Sequence, residues 1–143
     1  MLVAPIPANV NDFAERYTAA WRSHNAASVA AFFSPNGSLA VNGGAPAVGR
    51  SAITQEAQKF MTAFPDLQVR MDDLVVQQGH AVYHWTLTGT NTGPGGTGHR
   101  VRISGFELWQ FASDGLIGQS QGNFNSADYQ RQLEHGSSFA APS

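Results

Sequence analysis

Four polar side chains stand in otherwise apolar surroundings: Tyr17, Asn42, His84 and Glu107. Glu107 is the most unusual, because carboxylates are seldom found inside an apolar strand pattern. If these groups share one pocket, their chemistry is proton transfer. A carboxyl in apolar surroundings has its charged form disfavoured, so its pKa rises; Trp109 and Phe124 would push Glu107 toward neutrality. A neighbouring His84 would instead hold it ionised, and the two would titrate as a unit. Either arrangement moves protons near neutral pH. Tyr17 and Asn42 supply donors for a developing enolate oxygen. The set suits proton abstraction beside a carbonyl, followed by isomerisation, aldol-type cyclisation or dehydration.

Each residue also has a plainer reading. Tyr17 lies on an apolar helical stripe and serves equally as a core tyrosine with a satisfied hydroxyl. His84 serves as a structural or interface histidine. Glu107 facing outward would pair with Arg102 or Arg70. Asn42 before Gly43 is a good turn residue. Trp21, Phe33, Phe60, Trp109 and Phe124 serve as core or pocket wall.

Composition narrows the alternatives. The chain has 143 residues, 42% hydrophobic and 13% charged, which suits one ordered domain. The formal charge is −2 with no basic cluster, which argues against nucleic-acid binding. Without cysteine there is no disulfide, thiolate zinc site or cysteine nucleophile. His80, His99 and His135 lack metal-ligand spacing, so neither a metal nor another cofactor is expected. The run GPGGTG at 93–98 lacks a phosphate-binding lysine and a strand-to-helix step, and reads as a hairpin loop. No apolar run is long enough to span a bilayer. The first residues lack the pattern of a secretory signal, so a cytoplasmic location is expected.

The elements that must position these groups follow from periodicity. Residues 1–8, with Pro5 and Pro7, read as a lead-in. Phe13, Tyr17, Ala20 and Trp21 recur on one helical face, with Asn9 or Asn11 as cap. A short second helix buries Val29, Phe32 and Phe33 and stops at Pro35-Asn36-Gly37. Residues 38–42 read as a strand and 43–49 as a loop. A third helix from Ser51 carries Ile53, Ala57, Phe60, Met61 and Phe64. After Pro65 the period changes to two, giving strands at 67–78, 81–90, 101–111 and 116–124. Ser113-Asp114-Gly115 is a hairpin turn. A short helix follows from Ser126 to Leu133, and 135–143 reads as a disordered tail.

The predicted class is α+β. Three N-terminal helices and a curved antiparallel sheet form a cone around a pocket, in a domain at 9–134. This order resembles the nuclear transport factor 2-like superfamily, with its ketosteroid isomerases and SnoaL-like polyketide cyclases. The resemblance is carried by FAERYTAAW, SLAVNGG, FPDLQVRMDDLVVQQGHAVYHWTLTGTNTG and VRISGFELWQFASDGLI followed by YQRQL. It implies a cystatin-like α+β barrel and places Glu107 on the concave face, where ketosteroid isomerases carry the carboxylic acid of the oxyanion hole. That enzyme is the known case of a protonated carboxyl donating a hydrogen bond.

The resemblance further implies that Tyr17 matches the tyrosine donor and Asn42 the position of the aspartate base. It places Val82, His84 and Thr86 on the concave face, with Ser120, Gly122 and Phe124 on the last strand. The chain departs from the pattern twice: Asn42 is an amide and cannot act as a base, and Gly122 replaces the aspartate of the cyclases. The implied function is a cofactor-independent isomerase or cyclase acting on a small hydrophobic carbonyl compound, with Glu107, His84 and Tyr17 as catalytic groups. The same cavity equally suits a non-catalytic binding protein. Apolar residues on both faces of 101–111, Phe106 and Leu108 among them, imply a homodimer through the outer sheet face.

Overall fold

Why four long strands follow three helices is visible in how each element disposes of its apolar side. The computed structural model describes residues 7–77 and 79–137. Most of the lead-in, most of the tail and the expected turn residue Gln78 lie outside these. Helix α1 (Val10–Arg22) buries Phe13, Ala14, Tyr17, Thr18 and Ala20, the one-sided spacing that a 3.6-residue period requires. Asn9 occupies its cap position but makes no side-chain capping bond. Helix α2 is Ala26–Ala30, and α3 is Arg50–Ala63 with Ile53, Ala57 and Met61 buried. Phe64 follows α3 and is itself fully buried.

The strands are β1 (Phe33–Val41), β2 (Ala47–Val48), β3 (Gln68–Gln77), β4 (His80–Thr90), β5 (Arg100–Phe111) and β6 (Ile117–Phe124). They form a single curved, unclosed sheet in the order β2-β1-β6-β5-β4-β3. The sheet is mixed, not uniformly antiparallel: β1 and β6 run parallel. The chain leaves β1 through α3, and the antiparallel meander β3–β6 returns its last strand alongside in the same sense.

Two boundaries differ from the sequence pattern. Phe33 opens β1 and does not close the second helix, and Pro35-Asn36-Gly37 lies inside the strand. The β1–β6 register shifts between Phe33 and Ser38, so these residues mark an irregularity that the strand survives. Gly37 is required there, since a Cβ would lie 2.8 Å from the Ile117 carbonyl oxygen. The two-residue β2, inside the expected loop 43–49, pairs with Ser38 and Leu39.

Helix α4 (Ser126–His135) is capped by Asn125, whose side chain accepts from the Asp128 N–H at 2.9 Å. It docks where β6 no longer pairs with β5. There the buried Gln132 amide accepts from Arg102 N–H and donates to Arg102 C=O, at 2.6 and 3.0 Å. One side chain thus satisfies a length of strand edge that no neighbouring strand reaches.

Candidate active site

The apolar interior divides into two clusters. One gathers Phe13, Tyr17, Phe33 and Trp109 under α1 and α2. The other gathers Phe64, Leu67, Val69, Leu87, Val101 and Ile103 at the far end of the sheet. Trp21 and Trp85 pack against both. Between them lies a cavity that is partly open to solvent. Its helical wall is Trp21 of α1 with Glu56 and Phe60 of α3. The sheet contributes Leu39 and Val41, Val69, then Tyr83, Trp85 and Leu87, then Ile103 and Glu107, and finally Gly122 and Phe124.

Glu107 is 8% exposed, and its carboxyl is the focus of four hydrogen bonds. Oε1 accepts from Ser120 Oγ at 2.7 Å and from Trp109 Nε1 at 3.0 Å. The Tyr17 hydroxyl is shared between Oε1 at 3.0 Å and Oε2 at 3.1 Å. Oε1 is therefore saturated, while Oε2 has only half of one donor. A proton on this carboxyl belongs on Oε2. Burial raises the Glu107 pKa above its ordinary value, and the bonds from Trp109, Ser120 and Tyr17 oppose that rise without cancelling it. Burial likewise lifts the Tyr17 phenol well above its usual range, with the Glu107 carboxyl adding to the effect.

Tyr83 completes the floor. Its ring stacks on Trp109 with centroids 4.7 Å apart, and Tyr17 meets Trp109 edge-on at 5.1 Å. The Tyr83 hydroxyl bonds to Thr18 Oγ1, which donates its own proton to Ala14 C=O. The Tyr83 proton must therefore point at Thr18. These aromatic contacts lock the residues that hold Glu107. Gly122 lies directly across from Glu107 in the β5–β6 register, and both residues line the cavity.

The residues expected at the site divide clearly. Trp21, Phe60, Glu107, Gly122 and Phe124 line the cavity. Tyr17, Trp109 and Ser120 sit behind Glu107 and touch it. Phe33 is buried in the core beside Tyr17, at 6.2 Å between centroids, away from the cavity wall. Asn42 is exposed with positive φ of 52°, and its Oδ1 accepts from Phe124 N–H at 2.8 Å. It acts as a turn residue, as asparagine does in left-handed backbone.

Val82, His84 and Thr86 correct the expected phase of β4. The residues of β4 that enter the cavity are Tyr83, Trp85 and Leu87, so the alternate positions lie on the opposite face. His84 there packs beside Phe106, with ring centroids 6.1 Å apart. Thr86 bonds to Asp72 and to Ser104 Oγ, the latter at 2.7 Å, in an outer network with Arg70. The heavier apolar set on the odd positions of β4 carried the signal for the true phase. Glu56 was also missed; it lies four residues before Phe60, on the same helical face. Its Oε1 pairs with Lys59 Nζ at 3.0 Å. Among the described residues no cluster of three His, Asp or Glu is placed to hold a metal ion.

Among the described residues one buried side-chain donor has no acceptor: the indole Nε1 of Trp85. Leaving such a group unpaired costs about 1–3 kcal/mol.

The SnoaL-like domain model matches residues 14–119, from within α1 to within β6. The chain belongs to the SnoaL-like domain family. Solved structures carry the same fold around this SnoaL-like domain. One is from Jannaschia sp. CCS1, a protein assigned as a SnoaL-like polyketide cyclase. It aligns with a TM-score of 0.80 at 17% identity, over 94% of this chain and 98% of that one. TsrD from Streptomyces laurentii aligns at 0.76 and 22%, over 90% and 97%. SalBIII, an epoxide hydrolase/cyclase-like enzyme in pyran ring formation in the polyether salinomycin, aligns at 0.72 and 15%, over 84% and 93%. At these identities the likeness establishes the nuclear transport factor 2-like fold and leaves chemistry to the SnoaL-like domain's own residues. Among curated proteins no match is found. No helix of the described residues is long and apolar enough to cross a membrane.

Proposed function

We propose that this SnoaL-like domain is a cofactor-independent isomerase or cyclase that moves a proton beside the carbonyl of a small hydrophobic molecule. The observation that carries the reading is the Glu107 carboxyl. It faces an apolar cavity, Oε1 is pinned by three donors, and Oε2 is left to exchange a proton. A raised pKa makes its carboxylate a stronger base than an exposed glutamate. In the reaction, Oε2 takes a proton from the carbon beside the carbonyl. The C–H pair moves to the carbonyl oxygen as an enolate. The Oε2–H then returns its proton to another carbon of the conjugated system; in ring closure the enolate carbon attacks a second carbonyl, whose C=O pair moves to oxygen and takes the Oε2 proton. Tyr17 is fully buried and does not line the cavity, so its role is to position Glu107. His84 takes no part, being on the other face of β4.

The SnoaL-like polyketide cyclase assignment of one neighbour and the pyran-forming role of SalBIII support ring-forming chemistry on oxygenated apolar substrates. The test uses 2-tetralone, an apolar ketone with exchangeable protons beside its carbonyl. In D₂O, proton NMR reads the loss of those protons. The protein should accelerate exchange, and Glu107→Gln should remove about 10²–10⁴-fold of the acceleration. Equal acceleration by the variant would refute the mechanism.

A second reading is a binding protein that sequesters a metabolite. Gly122 and the outward Asn42 favour it, since neither position supplies a second acid or base. Recovery of an unchanged ligand with no measurable exchange would support it. For assembly, the outer sheet face is the proposed dimer surface, with Phe106 37% exposed beside His84.

A further inference from the structure

The Trp85 indole makes no hydrogen bond, yet its place is closely defined. Its β4 position pairs with Gly105 of β5. A Cβ on Gly105 would stand 2.7 Å from the indole Cζ2 and 3.0 Å from the Phe124 Cβ. The glycine therefore makes the space in which the indole lies. Phe124 meets the indole edge-on at 6.0 Å and fixes its other side. The ring so held lines the same cavity as Glu107, and its Nε1 is buried without an acceptor. Of the other cavity-wall groups that carry polar atoms, Glu107 is engaged by its three donors, Tyr83 by Thr18 and Glu56 by Lys59, and the Trp21 indole is turned to the Tyr17 hydroxyl. Indole N–H is a donor only, and buried polar groups in a binding site are paired with the ligand they recognise.

We infer that the Trp85 indole N–H is the oxygen-recognising donor of the cavity, and that the ligand is a neutral, largely apolar molecule whose carbonyl or ether oxygen accepts from it. This rests on the cavity being the ligand site and deepens that reading: Trp85 selects and orients the oxygen, while Glu107 acts on the carbon skeleton. It divides recognition and proton transfer between two residues on neighbouring strands.

The test compares 2-acetylnaphthalene with 2-isopropylnaphthalene, which keep the ring and the branch but exchange a carbonyl oxygen for a methyl group. The chain's three tryptophans, Trp21, Trp85 and Trp109, give separate indole signals in a ¹⁵N–¹H correlation spectrum. Trp85→Phe assigns the relevant one. The ketone should move the Trp85 Nε1–H signal downfield at saturation, and the hydrocarbon should not. Calorimetry should give the ketone about tenfold tighter binding than the hydrocarbon, and Trp85→Phe should bring that ratio close to one. A Trp85 signal that the two probes move equally, or a ratio unchanged in Trp85→Phe, overturns the donor role and leaves the cavity reading intact. If neither probe binds, both fall. Deuterium exchange into 2-tetralone by Glu107→Gln as fast as wild type sinks the proton-transfer reading alone.

Discussion

At the scale of single residues, the buried carboxyl decides the energetics. Tyr17, Trp109 and Ser120 all direct their donors at Glu107. Glu107→Ala should therefore cost on the order of 1–3 kcal/mol for each donor it leaves unpaired, measured by chemical denaturation. Glu107→Gln keeps an acceptor oxygen and is neutral, so its stability at pH 7 should stay within about 1 kcal/mol of wild type. The two proteins should differ in pH dependence. Folded Glu107 holds its proton more tightly than the unfolded chain does, because burial raises its pKa. Between the ordinary carboxylate range and the raised value, the folded state thus carries the extra proton. Wild-type stability has its full contribution below that window, falls as pH rises through it, and levels off above. Glu107→Gln should lack that slope, and an identical slope in both proteins would contradict the assignment. Glu107 was legible in the sequence because a carboxyl inside an apolar strand demands an explanation. Trp85 was not, because an unpaired indole N–H is a property of packing, invisible in residue type.

At the scale of elements, periodicity placed α1, α3, α4 and the strands β3 to β6, and failed for the first half of β1 and for the facing of β4. The odd positions of β4 carry the heavier apolar set, and pairing with β5 puts Tyr83 opposite Glu107 on the cavity face. It was the family resemblance, and not this alternation, that placed Val82, His84 and Thr86 on the concave face. Pro35-Asn36-Gly37 misled similarly: local turn chemistry predicted a stop, while pairing with β6 carries the strand through. The β4–β5 pair also makes a prediction. Gly105→Ala would force its Cβ against the Asn123 carbonyl oxygen as well as Trp85. It should destabilise the fold by about 1–3 kcal/mol. Thermal denaturation checks the stability, and near-ultraviolet dichroism, read alongside Trp85→Phe, checks displacement of the indole. A variant as stable as wild type with an unchanged spectrum would show that the indole does not need this space.

At the scale of the whole molecule, the order of elements identified the fold because helices before a meander leave one sheet face to cover and one to spare. The helices and two core clusters close the concave face except at the cavity. The other face presents Phe106, and Val75, which pairs with Val82, is also exposed on it. If that face joins two copies, Phe106→Glu should shift the protein toward monomer in light scattering at micromolar concentration. Ligand binding should survive, since Phe106 and the cavity lie on opposite sides of β5. A wild-type monomer under the same conditions would remove the dimer from the account. The pocket that the order of elements implied lies between the two core clusters and is lined from both.

The central claim is that burial against the apolar cavity raises the Glu107 pKa, so its carboxyl keeps a proton to higher pH than an exposed glutamate does. With carboxyl ¹³C label in the glutamates, the Cδ signals of Glu15, Glu56, Glu107 and Glu134 can be followed against pH, and Glu107→Gln assigns the one that matters. The account predicts that the Glu107 signal titrates clearly above the range of the exposed glutamates. A Glu107 signal that titrates with them, or below them, would contradict it.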